Sequence, residues 1–139
     1  MSELNTANLK YTFPKSERLH SKKLIKELFE KGSSFYLYPY KVIYLPQDDI
    51  ESNQVLISVS KKKFKKAVTR NLIKRKIKEA YRLNKHLLTD ESQALPKLLI
   101  GYIYTGKDIL PYQTIEGKLK KSLLRLKKES QDLSHKDQS

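Results

Sequence analysis

The chain has 139 residues, no cysteine and a formal net charge of +14 at pH 7, with a sequence pI near 9.8. This length suits one domain with a hydrophobic core, and the absence of cysteine excludes disulfide bonds and thiolate zinc sites. The positive charge indicates an anionic partner, and nucleic acid is the commonest one for a small basic protein.

The first part of the chain predicts a tail, a helix and a strand. Residues 1–10 are polar and aperiodic, which is typical of a flexible N-terminal tail. A short helix is predicted to begin after Ser21, an N-cap residue, and to end at Gly32. A strand is predicted from 35 to 45, although Pro39 lacks a backbone donor and restricts its first part to a sheet edge.

Alternate positions of that strand are rich in tyrosine. If the strand is continuous, period-two alternation places five side chains on one face: Tyr36, Tyr38, Tyr40, Val42 and Tyr44. The row is compatible with stacking on unpaired bases, and equally with tyrosines that fill a half-buried sheet. The residues alone leave both interpretations open.

Residues 46–54 predict a hairpin loop that leads into a second strand at 55–60. Asp48 and Asp49 lie side by side in this loop without a third ligand at a suitable spacing. The three histidines are far apart in the sequence. No metal site is predicted from either set.

The segment Lys61–Lys85, called the basic segment below, contains twelve lysines and arginines and one acid, Glu79, for a local net charge of +11. A helix is predicted from about Lys66 to Leu88. At helical spacing one stripe is polar and mostly cationic, and it contains Asn71, Lys74, Arg75, Lys78, Arg82 and Lys85. The leucines and isoleucines project roughly opposite, so the helix is expected to dock on a core with its cations outward.

The last third predicts a strand at 98–104, apolar on both faces and therefore covered by helices, and a final helix capped by Thr114. The order of elements predicts an α/β (α+β) sandwich in which a small mixed sheet packs with helices. We expect one domain over residues 11–126 and a disordered tail over 127–139. No signal peptide or membrane span is recognised, which predicts a cytoplasmic protein.

No motif for protein-borne catalysis is present: the chain lacks a glycine-rich phosphate loop, an HExxH motif and a nucleophile motif. Recognition of a polyanion is the remaining chemistry. The candidate contacts are Lys61, Lys62, Lys66, Arg70, Asn71, Lys74, Arg75, Lys78 and Arg82. Asn71 fits either a directed hydrogen bond to nucleic acid or an ordinary surface or capping role.

The run SVSKKKFKKAVTRNLIKRKIKEAYR resembles the signature of the protein subunit of bacterial ribonuclease P. The matching positions are Ser60-Lys61-Lys62, Ala67-Val68, Arg70-Asn71, Lys74-Arg75 and Lys78-Glu79-Ala80. The likeness extends over all but the two tails. The family usually has a glycine between the Lys-Lys and Ala-Val pairs, where KFKK fills the loop here.

The resemblance implies a fold with an unusual left-handed crossover around the basic helix, although such connections are generally right-handed. It implies two RNA partners, the catalytic RNA of ribonuclease P and precursor tRNA, with one protein per RNA. Catalysis and Mg²⁺ would belong mainly to the RNA, with no organic cofactor. Arg70, Asn71, Lys74, Arg75 and Lys78 would contact RNA, and Phe29, Tyr44 and Lys62 would line a groove for the 5′ leader.

Two other functions fit the composition. A structural RNA-binding protein of the ribosomal or double-stranded-RNA-binding type would carry the same charge. A helix that lies on a membrane surface is disfavoured by the absence of tryptophan and by Lys76 at the apolar border.

Overall fold

The structure, a computed structural model, describes the backbone of residues 12–138 and the side chains of residues 12–133. It contains three helices, α1 (Lys22–Lys31), α2 (Ala67–Asn84) and α3 (Tyr112–Gln138), and four strands, β1 (Ser33–Leu37), β2 (Tyr40–Pro46), β3 (Gln54–Val59) and β4 (Leu98–Tyr104). Single 3₁₀ turns lie at Lys15–Glu17 and Lys85–Leu88. The predicted N-terminal tail, residues 1–10, lies outside the described residues.

The strands form one mixed sheet in the order β1-β2-β4-β3. The β1-β2 and β2-β4 pairs are antiparallel, and β3 pairs parallel with β4. The α/β class predicted from the sequence is confirmed. The hairpin predicted at 46–54 is wrong, because β4 lies between β2 and β3 and the two strands never pair.

The strand predicted from 35 to 45 is in fact a hairpin. A turn at Tyr38 and Pro39 separates β1 from β2, in keeping with the missing backbone donor of proline. Leu37 then pairs with Tyr40, and Tyr36 pairs with Lys41. The row of four tyrosines therefore does not exist, because Tyr36 and Tyr40 project to opposite faces of the sheet.

One face of the sheet is covered by α2 and α3, and this is where the main core lies. Tyr40 and Tyr102 are fully buried there. Their hydroxyls are satisfied: Tyr40 donates to the Ile115 carbonyl at 2.9 Å, and the Tyr102 hydroxyl lies 2.7 Å from Ser122 Oγ. A tyrosine can occupy a core when its polar tip finds such a partner, so these rings are structural.

The opposite face is covered by α1, which places a helix on each side of β4. The predicted ends of α1 are confirmed: Ser21 Oγ accepts a hydrogen bond from the Leu24 amide at 3.3 Å, and the helix stops before Gly32. Leu28 packs over Gly101, where a Cβ atom would lie 3.4 Å from Leu28 Cδ2. The glycine allows α1 to approach the centre of the sheet.

Helix α3 differs from prediction at both ends. It begins at Tyr112, so Thr114 lies in its first turn and is not the cap. It continues to Gln138, whereas we expected disorder after Lys127. Ser130 is buried, and Gln131 Nε2 donates to Asp90 Oδ2 at 2.9 Å. The end of α3 is thus packed through polar residues. A helix is usually predicted from the spacing of apolar residues, so this part was missed.

Candidate nucleic-acid interface

The loop at residues 61–66, called the basic loop below, is a folded turn that presents lysines to solvent. Ser60 Oγ accepts hydrogen bonds from the amides of Lys62 at 3.2 Å and Lys63 at 3.4 Å. Phe64 is buried, and its ring centroid lies 6.1 Å from that of Tyr104. No non-glycine residue in the described chain has a positive φ. The loop thus closes without a glycine, with Phe64 as its anchor.

Arg70 joins this loop to the start of α2. Its Nη1 donates to the carbonyls of Phe64 and Lys65, each at 2.8 Å. Both bonds use the same nitrogen, so Nη2 and Nε keep donors for a ligand. Arg70 can therefore position the basic loop and still face an anion.

Four polar residues on α2 form the free part of the stripe: Asn71, Lys74, Arg75 and Lys78, called the free stripe below. Among the side chains that the structure describes, none of the four has a hydrogen-bond or ion-pair partner. Asn71 is exposed and is not a cap, because Lys66 occupies the N-cap position. The pKa of Lys78 is lowered, chiefly by burial and then by the charges of Arg18 and Lys74. These cations are crowded together, and none of them is paired with an acid among the described residues.

The two cations at the C-terminal end of the predicted stripe are paired with acids of the same chain. Arg82 donates to Glu79 through two bonds, Nη2 to Oε1 at 2.5 Å and Nε to Oε2 at 3.1 Å. Lys85 Nζ contacts Glu17 at 2.8 and 3.1 Å and also donates to the Thr12 carbonyl. These two cations are committed to the fold, and charge that is free for a ligand is concentrated toward the N-terminal half of α2.

A small cavity of about 240 Å³ adds residues that sequence reasoning missed. Lys74 and Lys78 of α2 line it together with Arg18, His20 and residues of the edge strand β3. The Leu19 amide donates to the Val55 carbonyl at 2.9 Å, which brings this segment to β3. Only that long-range pairing places Arg18 near α2, and no local pattern signals it.

A larger cavity of about 900 Å³ lies near Glu17, Tyr81 and Lys85. Acids and bases both line it, and Lys85 is already paired. It is therefore a weaker candidate for a polyanion than the free stripe.

No three His, Cys, Asp or Glu residues within the described chain are grouped so that they could hold a metal ion. Among the same residues, no helix is long and apolar enough to cross a membrane.

A comparison with known families matches residues 13–127 to the family model described as ribonuclease P. The chain belongs to the ribonuclease P protein family. A relative from Porphyromonas gingivalis strain W83, a ribonuclease P protein component, is 38% identical over 115 residues, which cover 81% of this chain and 84% of the relative. A second, from Petrotoga mobilis, is 45% identical over 74 residues, covering 53% of this chain and 61% of that protein.

Solved ribonuclease P proteins also share the fold. The protein from Staphylococcus aureus aligns with a TM-score of 0.62 at 26% identity, over 84% of this chain and 93% of that one. The protein from Thermotoga maritima aligns with a TM-score of 0.65 at 24% identity, over 78% and 96%. The mixed sheet with its helices is thus the architecture of ribonuclease P proteins.

The residues that the ribonuclease P resemblance assigned to the leader groove do not all come together. Phe29 is 48% exposed on α1, and Lys62 is exposed in the basic loop. Tyr44 is buried on the face of the sheet that α2 and α3 cover, where its ring centroid lies 6.1 Å from that of Phe35. Burial, followed by the nearby Glu129 carboxylate, raises the pKa of Tyr44. Ile43 and Leu45 are β2 residues that pack in the cluster under α1.

Proposed function

We propose that this chain is the protein cofactor of ribonuclease P. It binds the catalytic RNA and the 5′ leader of precursor tRNA, and it assists the RNA- and Mg²⁺-dependent endonucleolytic removal of that leader. One observation supports the proposal most strongly: in a member of this family, the cations of the free stripe have no hydrogen-bond or ion-pair partner within the described residues. Charges that a fold leaves unpaired and crowded are available to an external anion.

The spacing of the free stripe suits a nucleic-acid backbone. Asn71 and Lys78 are seven residues apart, which is a rise of ~10 Å along a helix and comparable to the reach of a few phosphates. Burial, followed by repulsion from Arg18 and Lys74, lowers the pKa of Lys78, and a phosphate bound beside Lys78 would offset that repulsion. Arg75 can hold a phosphate with two parallel hydrogen bonds, which a lysine cannot reproduce.

The proposal also assigns separate roles to the protein and to the catalytic RNA. We assign Mg²⁺ and bond cleavage mainly to the RNA partner, as the resemblance to ribonuclease P proteins implies. The protein contributes binding energy and reduces the repulsion between two polyanions, in a particle with one protein per catalytic RNA. Its effect should be greatest when Mg²⁺ is scarce and little else screens the phosphates.

Reconstitution tests this function. The purified chain is combined with the catalytic RNA from the same genome, and removal of the leader from precursor tRNA is measured over a range of Mg²⁺ concentrations. We expect faster cleavage at low Mg²⁺ than with the RNA alone, and a smaller difference at high Mg²⁺. Binding of RNA without stimulation of cleavage at any Mg²⁺ concentration would favour a structural RNA-binding protein instead.

A further inference from the structure

Tyr36 is the most exposed aromatic residue among the described side chains, with an exposed fraction of 60%. It lies in β1 and projects to the face opposite the buried Phe35. Its hydroxyl is 3.1 Å from Thr105 Oγ1. The ring is thus held at its hydroxyl end, while most of its surface remains exposed to solvent.

Two lysines flank this ring. Lys41 is exposed and lies directly opposite Tyr36 in the β1-β2 ladder, so their side chains leave the same face of the sheet as neighbours. Lys63 Nζ donates to the Thr105 carbonyl at 3.1 Å. Thr105 therefore holds both the Tyr36 hydroxyl and the Lys63 ammonium, and it joins the ring to the basic loop.

The register extends this group across the sheet as an open row, Tyr36, Lys41, Ile103 and Ser58. Ile103 and Ser58 are half-buried. The next row contains Ile43 and Gly101, and it is covered by Leu28 of α1. The open row is thus the uncovered end of the α1 face of the sheet, beside the basic loop.

We propose that Tyr36 stacks on an unpaired base of single-stranded RNA while Lys41 and Lys63 contact the adjacent phosphates. The proposal rests on the function proposed above. A tyrosine ring accepts any base face, and such stacking changes affinity by roughly 5- to 150-fold per base.

The chemistry of the row favours RNA over a protein partner. The row contains one exposed ring, one cation and no acid, with little additional apolar surface, and Lys63 of the basic loop adds a second cation. A hot spot for a protein generally needs a larger apolar patch around its anchor. An exposed ring with cations nearby suits single-stranded nucleic acid, because the ring can stack on a base while the cations contact phosphates.

Tyr38 offers a matched control. It is 48% exposed and only two residues away, but it lies in the turn and outside the paired ladder. Burial, followed by the nearby Tyr38, raises the pKa of Tyr104, a residue of the face that α2 and α3 cover. Substitution of Tyr38 thus removes a similar exposed ring without touching the open row.

The first experiment uses tryptophan as a reporter, since the chain has none. The Tyr36→Trp and Tyr38→Trp variants are each titrated with an unstructured single-stranded RNA and, separately, with an RNA duplex. We expect the single strand to quench the fluorescence at position 36 much more than at position 38, and the duplex to quench it little. Equal quenching at the two positions would overturn the proposal.

The second experiment measures affinity in the reconstituted holoenzyme for tRNA with and without a leader. Tyr36→Ala should weaken binding of the leader-bearing substrate by about tenfold and leave mature tRNA unaffected, while Tyr36→Phe and Tyr38→Ala should resemble wild type. If the wild-type enzyme prefers the leader and Tyr36→Ala keeps that preference in full, the proposal for Tyr36 is wrong but the proposed function stands. If wild type neither prefers the leader nor stimulates cleavage, the proposed function itself fails.

Discussion

Arg75 and Arg82 have the same formal charge and lie two turns apart on α2, yet their surroundings differ. Arg75 is exposed and has no side-chain partner among the described residues. Arg82 is paired with Glu79 through two hydrogen bonds. If α2 binds RNA through its free cations, Arg75→Ala removes a phosphate contact. Arg82→Ala removes a charge that the protein has already neutralised.

The expected magnitude follows from counterion release. Each phosphate contact contributes about 0.7 to the slope of log affinity against log salt for single strands, and about 0.9 for duplexes. Arg75→Ala should reduce the slope by that amount. Over a fourfold rise in salt concentration, the mutant would therefore lose about threefold less affinity than wild type. Arg82→Ala should leave the slope nearly unchanged, although it alters the net charge equally.

The assay is a titration of labelled catalytic RNA, followed by fluorescence anisotropy at several salt concentrations, with circular dichroism to confirm that each variant is folded. Arg75→Lys serves as a control that retains the charge and hence most of the slope. Equal reductions for Arg75→Ala and Arg82→Ala would show that net charge alone matters. No reduction for Arg75→Ala would show that α2 does not face the RNA.

Three further predictions concern the elements that support the interface. Phe64→Ala should lower the free energy of unfolding by about 3–5 kcal/mol, because the basic loop loses its buried anchor. A urea titration that shows a loss of less than about 1 kcal/mol would contradict this. Burial raises the pKa of Tyr102, so its contribution to stability should be fully present below the unfolded tyrosine pKa of about 10 and should be lost as the pH rises above that value. The urea midpoint of unfolding should therefore fall less with rising pH for Tyr102→Phe than for wild type. Parallel curves for the two proteins would show that Tyr102 does not cause the pH dependence. Truncation after Lys127 removes the packing of Ser130 and Gln131, so it should lower the melting temperature in calorimetry, and an unchanged value would mean that this end of α3 adds no stability.

Local patterns in the sequence were sufficient for most elements. Ser21 and Gly32 bound α1 as predicted, because capping depends on neighbouring residues. Strand β4 was predicted within its observed bounds, because a run that is apolar on both faces has few alternatives in a small domain. The basic helix was also recognised, since its leucines and isoleucines follow the helical period.

Long-range pairing could not be predicted in this way. Strand β4 lies between β2 and β3, and nothing local specifies that order. Lys85 is hydrogen-bonded to Glu17, 68 residues away in the sequence. No local pattern therefore shows that Lys85 is already paired and is not available to a ligand. The face on which a strand residue lies depends on a single position: Ile43 packs in the cluster under α1, and Tyr44, the next residue, is buried in the main core.

The measurement that tests the central claim most directly is leader cleavage at low Mg²⁺ by holoenzyme containing one of two triple variants. The first, Lys74→Ala with Arg75→Ala and Lys78→Ala, removes the cations of the free stripe. The second, Lys120→Ala with Lys121→Ala and Lys128→Ala, removes the same charge from exposed positions of α3. We predict that the first variant loses most of the stimulation of cleavage and the second retains most of it. Equal losses, or full stimulation by the first variant, would contradict the account.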